Sequence, residues 1–310
     1  MGEKAATRDA YGKTLVELGK ENPNIVVLDA DLSGSTRTGW FAKEFPDRFF
    51  NAGIAEQNMI GLAAGLAVSG KIAFASSFAM FATGRCWEQI RNTVGYPKLN
   101  VKVVASHAGI TVGEDGATHQ AVEDIALMRA CYNMRVIVPA DAEETKMAIR
   151  NIAQTDGPFY VRLSRSPTPA FYAPGKCDFR LGKGSIIREG QDAAIVACGI
   201  MVYEADQACE LLAKEGISVR LINMSSIVPI DTKLLTETAK KFGKIITCEE
   251  HSISGGLGSA VAESIADVSP CQIKIMGVHK PCQSGSPNDL MKYHELTAAD
   301  IVRTVKDLLA

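Results

Sequence analysis

The chain has 310 residues, which is enough for about two folded domains. Its 46% hydrophobic and 22% charged residues are typical of a globular protein and exclude a disordered chain. The net charge of −2, with 33 basic and 35 acidic residues scattered along the chain, excludes the basic surface of a nucleic-acid-binding protein.

The sequence also bears on targeting and on the redox state of the cysteines. The first residues, MGEKAATRDAYGK, lack the apolar core of a signal peptide, and the sequence has no apolar run of the roughly eighteen residues that a membrane span needs. We therefore expect a cytoplasmic protein. The eight cysteines show no C-x-x-C spacing, so we expect reduced and mostly buried thiols.

Short runs rich in β-branched residues alternate with helical patterns through the first half of the chain, as in a doubly wound parallel sheet. The predicted strands are IVVLDAD, RFFNAG, KIAFASS, VKVVASHAG, RVIVPAD and FYVRLS. Asp141 is a predicted helix N-cap, with Glu144 three residues later as in a capping box. These signals predict an α/β domain over residues 1–170.

The segment SRSPTPAFYAPGKCDFRLGKG, rich in proline and glycine, interrupts both periodicities and predicts a linker at about 166–183. Beyond it the runs AAIVACG, SVRLINM, KIITCEE and QIKIMGV predict a second, smaller α/β domain over residues 184–310. The predicted fold is thus two doubly wound, mostly parallel sheet domains. In the second domain, Glu249, Glu250 and His251 are expected to cap or pair near the GGLG turn, without a chemical role.

Ligands of open parallel sheets gather beyond the carboxyl ends of the strands, so polar residues just after the apolar runs are candidate site residues. Four segments qualify, at 29–35, 53–58, 106–120 and 163–165. Glu56 opens an otherwise apolar helix, MIGLAAGLAVSG, which its small residues predict to be buried. Two interpretations remain open: an acid favoured by the helix dipole, or a carboxyl group in a dry pocket that shares a proton with a ligand nitrogen.

The other candidates are equally ambiguous when taken alone. The segment GEDGATHQ, with Asp115 and His119, is either a surface loop with a capping histidine or a loop whose backbone approaches a ligand. His107 follows a predicted central strand and fits a core histidine as well as a catalytic one. Phe78 and Phe81, three residues apart, fit a core-facing helical pair.

Together and in this order, these segments resemble the transketolase family. The run GIAEQNMIGLAAGLAVSGKIAFASSFAMFATGRCWEQIRN, followed by GITVGEDGATHQAVEDIALMRACYNMRVIVPADAEE, is similar to the pyrimidine-binding domain of transketolase and of its relative deoxyxylulose-phosphate synthase. The run CEEHSISGGLGSAVAE resembles the family's C-terminal domain. The resemblance covers essentially the whole chain.

This resemblance implies thiamine diphosphate as the cofactor, with Glu56 in contact with N1′ of the aminopyrimidine. A protonated Glu56 donating to N1′ would favour the imino tautomer of the 4′-amino group, which then takes the proton from thiazolium C2. Phe78 and Phe81 match the family's aromatic clamp, and Gly84 stands where some relatives have a third aromatic residue. The cofactor-binding residues that the resemblance implies are Asp31, Leu32, Glu56, Phe78 and Phe81.

The implied substrates are phosphorylated sugars, between which a transketolase of the pentose phosphate pathway moves a two-carbon ketol unit. His107, Asp115 and His119 match positions that bind sugar hydroxyls or line the acceptor channel, and the implied catalytic residues are Glu56, His107 and His119. The residues that match phosphate-binding groups are Arg8, Ser35 and Arg165, of which the two guanidinium groups suit a terminal phosphate. His107 also favours transketolase over deoxyxylulose-phosphate synthase, whose pattern carries arginine there.

One part of the family's site is missing from this sequence. The family holds Mg²⁺ and the diphosphate with a GDG motif and a later asparagine. This sequence has no GDG. Its GEDG at 113–116 lies in the segment that resembles the pyrimidine-binding domain and is not a substitute. We assign no metal ligand to this chain. The resemblance implies a split enzyme, in which an N-terminal subunit carries the GDG motif and Mg²⁺, and the chains form an α2β2 heterotetramer that is active only when complete.

Three alternatives remain. The β subunit of a 2-oxoacid dehydrogenase E1 component has the same two-domain extent, but the GEDGATHQ loop, Arg8, Ser35 and Arg165 argue against it. Half of a deoxyxylulose-phosphate synthase would require pyruvate and glyceraldehyde phosphate. A regulatory subunit that has kept the fold without catalysis is disfavoured by the intact polar residues at the strand ends.

Overall fold

The structure is a computed structural model that describes residues 4–310 as two mainly parallel sheets flanked by helices. The strands are β1 (Lys4–Ala5), β2 (Ile25–Asp29), β3 (Phe49–Asn51), β4 (Ile72–Ser76), β5 (Val101–Ala105), β6 (Arg135–Ile137), β7 (Phe159–Arg162), β8 (Thr168–Pro169), β9 (Ser185–Arg188), β10 (Ala193–Ala197), β11 (Val219–Asn223), β12 (Ser226–Val228), β13 (Lys244–Ser252) and β14 (Gln272–Val278). The predicted fold class is confirmed.

Helices cover both sheets. They are α1 (Thr7–Glu21), α2 (Ser33–Thr36), α3 (Gly39–Glu44), α4 (Glu56–Val68), α5 (Trp87–Gln89), α6 (Asp124–Arg129), α7 (Ala142–Gln154), α8 (Met201–Lys214), α9 (Thr232–Phe242), α10 (Leu257–Ile265), α11 (Pro287–Tyr293) and α12 (Ala298–Leu309). Two π-helical segments, Met80–Arg85 and Ile90–Gly95, flank α5, and two 3-10 segments lie at Pro46–Arg48 and Ile110–Asp115.

The first sheet has seven strands in the order β12–β6–β7–β5–β4–β2–β3. Its strands pair in parallel except β12, which is antiparallel to β6. All six predicted runs of the first half form strands in it. The carboxyl ends of the neighbouring strands β2, β4, β5 and β7 therefore lie side by side, and the candidate segments follow them.

Strand β12 comes from a part of the sequence well beyond the linker. The sequence does not predict it, because only two apolar residues, Ile227 and Val228, precede Pro229. The segment after the linker thus completes the first sheet as well as forming its own.

The second sheet has the order β14–β13–β10–β11–β9, parallel except for β9 at the edge. The four predicted runs form strands there. Within the predicted linker, β8 pairs with β1, and the residues from 170 to 184 are irregular.

Polar contacts join the two domains. The predicted capping box forms in part: Asp141 accepts from the Glu144 amide at 2.8 Å, while the Glu144 carboxylate accepts from the Ala140 amide at 2.6 Å. That carboxylate also accepts from Nδ2 of Asn223 at 3.0 Å, across the domain boundary. Burial raises the pKa of Glu144. The helix start is therefore also an interdomain contact.

All eight cysteines fall within residues 4–310 and are free thiols, six of them buried, as predicted. Over the same residues, no helix has both the length and the apolar character that crossing a membrane would take.

Candidate functional site

Aromatic rings gather where β4 and β5 end. Phe78 follows β4 and His107 follows β5, and their rings stack with centroids 3.8 Å apart. Phe81 stacks on Phe78 at 6.0 Å, and His119 meets the two phenylalanine rings edge-on at 6.3 and 5.2 Å. The structure therefore brings together four predicted site residues from three separate segments.

His107 is buried and held in a left-handed backbone conformation, with φ 59°. Its Nδ1 lies 2.9 Å from the Ser106 hydroxyl, and its Nε2 lies 3.3 Å from Nη1 of Arg8. Burial, with added repulsion from Arg8 and Arg165, lowers the pKa of His107 to about 3. The imidazole is therefore neutral near pH 7.

Arg8 lies at the centre of a group of cationic side chains. Its Nη1 donates to the backbone oxygen of Ser35 at 3.0 Å, while its buried Nε has no hydrogen-bond partner within the described chain. Burial and the nearby Arg37 lower the pKa of Arg8. A guanidinium with an unused buried donor beside other cations is suited to binding an anion.

Arg165, the second arginine predicted to bind phosphate, makes contacts within the chain instead. Its Nη1 donates to the Val112 backbone oxygen at 2.5 Å and pairs with the exposed Glu114 carboxylate at 3.2 Å. It still contributes to the positive potential at Arg8 and His107. An anion at Arg8 would therefore have to compete with Glu114 for this side chain.

Asp31 and Leu32 lie on the loop after β2. Asp31 is exposed, adopts φ 63°, and accepts from Nδ2 of Asn51 at 3.1 Å. Leu32 donates its amide to the buried Asp29 carboxylate at 2.6 Å, and Thr36 and Thr38 donate to the same group. Burial raises the pKa of Asp29. Asp29 thus anchors the loop, and Asp31 is the acid left facing solvent.

Glu56 opens α4, as predicted, and is 5% exposed. Its Oε1 accepts from Nη1 of Arg85 at 3.0 Å. The Arg85 guanidinium also lies 4.1 Å from the centroid of the Phe81 ring. A planar group with N–H donors is therefore held between an aromatic face and the carboxylate.

This arrangement tests whether the chain fits the aminopyrimidine of the expected cofactor. An aminopyrimidine is likewise flat and nitrogen-bearing, so Phe81 and Glu56 offer it the same two contacts that Arg85 uses. An open cleft of about 530 Å³ adjoins them, and Gly84 leaves free space on the side toward solvent. The residues lining the cleft are Ile54, Ala55, Glu56, Gln57, Asn58 and Arg85. The site fits the group once Arg85 has moved.

The prediction that α4 is buried holds for only one face of the helix in the single chain. Met59, Ile60, Ala63 and Ala64 are buried, but the opposite face is open to solvent. The exposed residues of this α4 face are Gln57, Asn58, Gly61, Leu62, Gly65 and Val68. Nothing within residues 4–310 covers it, although Leu62 and Val68 are 44% and 73% exposed.

The GEDGATHQ segment forms a short 3-10 turn and a loop, with Asp115 exposed and His119 half-buried against the phenylalanines. Asp115 therefore lies on the solvent side of the loop.

Two arginines of the site, Arg37 and Arg85, were not predicted. Arg85 had a readable signal, because it stands four residues after Phe81 and i, i+4 neighbours share a helix face. Arg37 had no such signal in the sequence, because its proximity to Arg8 arises only in the folded chain.

Comparison with known proteins places these features in one family. Residues 3–170 match the family model described as the transketolase pyrimidine-binding domain, and residues 182–301 match the model of the transketolase C-terminal domain.

Individual proteins match over nearly their full length. A protein of Methanocaldococcus jannaschii assigned by name as a transketolase C-terminal section is 54% identical, over 97% of this chain and 95% of its own. A 6-deoxy-6-sulfo-D-fructose transketolase subunit of Clostridium sp. is 40% identical, over 97% and 94%. The solved structure of a split-gene transketolase, described as an inactive β4 tetramer, superimposes with a TM-score of 0.91 at 51% identity and covers 99% of both chains. This chain belongs to the transketolase family, as a C-terminal subunit that holds the pyrimidine-binding and C-terminal domains.

Proposed function

We propose that this chain is half of a thiamine diphosphate-dependent transketolase that moves a two-carbon ketol unit between phosphorylated sugars. The observation that carries the proposal is the convergence of a buried helix-start acid, a stacked aromatic group and a set of cationic side chains at one edge of the first sheet. We also propose residues 1–170 as the pyrimidine-binding domain and 184–310 as the C-terminal domain. Strand β12 belongs to the second segment but pairs with β6 in the first sheet.

For the cofactor, Phe81 would bind a face of the aminopyrimidine with Phe78 stacked behind it, and Glu56 would hold a proton at its ring nitrogen. Asp31 and Leu32 would line the adjoining end of β2. Bound there, the cofactor would supply the nucleophilic carbon for reaction with a ketose carbonyl. Arg85 must leave Glu56 for this to occur, because an ion-paired carboxylate cannot donate a proton.

For the sugar, neutral His107 is suited to exchange hydrogen bonds with hydroxyl groups without adding charge. His119 sits at the edge of the same aromatic group, and Asp115 on the same loop would reach a longer substrate. Arg8, with the Ser35 backbone that orients it and Arg165, would bind the terminal phosphate. His107 and His119 are the proposed proton-transfer groups beside Glu56.

A partner subunit is supported by the open α4 face. Gly61, Leu62, Gly65 and Val68 present small and apolar groups along the helix that Glu56 opens, and an apolar face of this kind is typical of a buried interface. We propose that an N-terminal subunit with a GDG motif covers it and holds the diphosphate and Mg²⁺, in an α2β2 assembly. Relatives named as a subunit, a section and a split-gene product support this arrangement.

The experiment that tests the reaction class uses the reconstituted two-chain complex and a panel of donors. The proposal predicts turnover of ketose phosphates and no release of carbon dioxide from pyruvate. Pyruvate turnover would contradict it and favour a 2-oxoacid dehydrogenase or deoxyxylulose-phosphate synthase half. A 6-sulfo sugar belongs in the panel, because a guanidinium group binds sulfonate and phosphate alike.

A further inference from the structure

The loop at 109–116 is held by the second domain as well as by its own, in which Arg165 donates to the Val112 backbone oxygen and Ser166 to that of Thr111. Ser284 donates its hydroxyl to the Glu114 backbone oxygen at 2.9 Å, and Nε2 of Gln120 donates to the Gln283 backbone oxygen at 2.9 Å. The first contact meets the loop at exposed Glu114, and the second holds buried Gln120, whose Nε2 also lies 3.3 Å from the Ile110 and Gly113 backbone oxygens. A third contact, from β13, meets the start of the loop.

That third contact is a buried carboxylate. Oε1 of Glu250 accepts from the Thr111 amide at 2.5 Å, with Glu250 only 3% exposed. Thr111 is the second residue of the 3-10 turn that leads to Asp115. Because a hydrogen bond to a buried carboxylate is strong and costly to leave unmade, this contact fixes where the turn starts.

Two glycines allow the approach. Gly109 has φ 80°, and any side chain there would run into the Glu250 carboxylate. Gly116 has φ 76°, and a Cβ would come within 2.5 Å of the Ser284 hydroxyl oxygen. The glycines of this motif thus serve the contact with the second domain.

The direction of Glu250 is set by the first domain in return. Arg162, at the end of β7, donates Nη2 to the Glu250 backbone oxygen at 2.8 Å and lies 4.0 Å from its Oε2. The same guanidinium pairs with buried Asp124 at 2.9 Å. The carboxylate is therefore both paired and oriented.

Glu249, the preceding residue, makes different contacts. Its two oxygens accept from the amides of Leu257 and Gly258 at 2.6 and 2.8 Å, where α10 begins. It therefore caps a helix of its own domain, near the GGLG turn as predicted. Glu250 does not, so two adjacent buried carboxylates serve opposite domains.

We propose that Glu250 is a positioning residue for the sugar site: from the C-terminal domain, it holds the loop that carries Asp115 and leads to His119. This inference rests on the proposed function, since it takes that loop to be part of the sugar site. It gives the C-terminal domain a role in substrate binding beyond packing.

The test compares Glu250→Ala, Glu250→Gln and the matched control Glu249→Gln. The first readout is hydrogen exchange of the 109–116 backbone in the full chain alone, which needs no activity. The second is KM and kcat for a phosphorylated sugar, with cofactor affinity, in the reconstituted complex. Glutamine keeps an oxygen acceptor for the Thr111 amide, whereas alanine does not.

We expect Glu250→Ala to speed exchange in the loop and to raise the sugar KM about tenfold, with the cofactor affinity unchanged. Glu250→Gln should keep the loop exchange rate and the sugar KM close to their wild-type values. Glu249→Gln should lower the melting temperature without either effect.

Unchanged loop exchange in Glu250→Ala, or equal effects of Glu249→Gln on KM, would overturn the inference. Faster exchange combined with a wild-type complex that transfers no ketol unit would instead refute the proposed function and leave the loop contact standing.

Discussion

Arg85 donates to Glu56 at 3.0 Å while its guanidinium covers the Phe81 ring at 4.1 Å, so one side chain occupies both contacts proposed for the aminopyrimidine. Arg85 is 52% exposed and free to swing outward, whereas Glu56 is fixed at the start of α4. Cofactor binding should therefore compete with this ion pair.

Replacing Arg85 tests that competition. The ion pair of exposed Arg85 with buried Glu56 and the cation–π contact together contribute about 1 kcal/mol, so Arg85→Ala should bind thiamine diphosphate about fivefold more tightly in the reconstituted complex. Titration of the complex with cofactor measures this. Arg91→Ala is the control, because Arg91 makes the same kind of contact with Tyr132. Weaker binding by Arg85→Ala would mean that Arg85 holds the cofactor.

His107 should make stability depend on pH. Its folded pKa of about 3 lies below the usual 6.5, so unfolding takes up a proton between these values and stability falls as pH drops below 6.5. His107→Gln removes this proton uptake. The free-energy difference between wild type and variant should shrink by about 1.4 kcal/mol for each pH unit from 6 to 5. Urea unfolding at pH 7, 6 and 5 checks this. If the free energies of unfolding of wild type and variant changed equally with pH, the prediction would be wrong.

Arg8 should bind the phosphate of the substrate. Arg8→Ala removes charge-assisted hydrogen bonds and should raise KM for xylulose 5-phosphate about 10- to 100-fold. Arg8→Lys should lie between, because an ammonium lacks the planar fork. An unphosphorylated ketose is the internal control. Equal losses for both sugars would show that Arg8 maintains the fold of the site instead.

The α4 face should be the docking surface for the N-terminal subunit. Leu62→Asp places a charge in the interface and should abolish assembly, as measured by size-exclusion chromatography with light scattering. Leu211→Asp on α8 is a matched control, because Leu211 is 41% exposed against 44% for Leu62. Both variants should keep the wild-type melting temperature within a few degrees. If Leu62→Asp still assembled with the N-terminal subunit, the α4 face would not be the docking surface.

The sequence predicts strands well where apolar runs of four or more residues are buried on both faces, as in β2 and β10. It does not predict β9 or β12, which are short antiparallel strands at sheet edges and depend on pairing that forms only in the folded chain. Local pattern carries little information about such edges.

The candidate site shows the same division. Glu56 and His107 follow strand ends and can be found by position in the sequence, whereas Phe78 is identified only through the family resemblance. The burial of α4 was overestimated, because an apolar helix predicts a covered face without saying which chain covers it. Glu250 was missed because its partner, Thr111, lies 139 residues away.

The most direct test of the central claim is ketol transfer from xylulose 5-phosphate to ribose 5-phosphate, with thiamine diphosphate and Mg²⁺. The assay uses this chain alone, the GDG-bearing subunit alone, the mixture, and the mixture made with Glu56→Gln. We predict activity only in the wild-type mixture, with Glu56→Gln assembling normally but slower by about 10² to 10⁴. Activity of this chain alone, or full activity of the Glu56→Gln complex, would contradict the account.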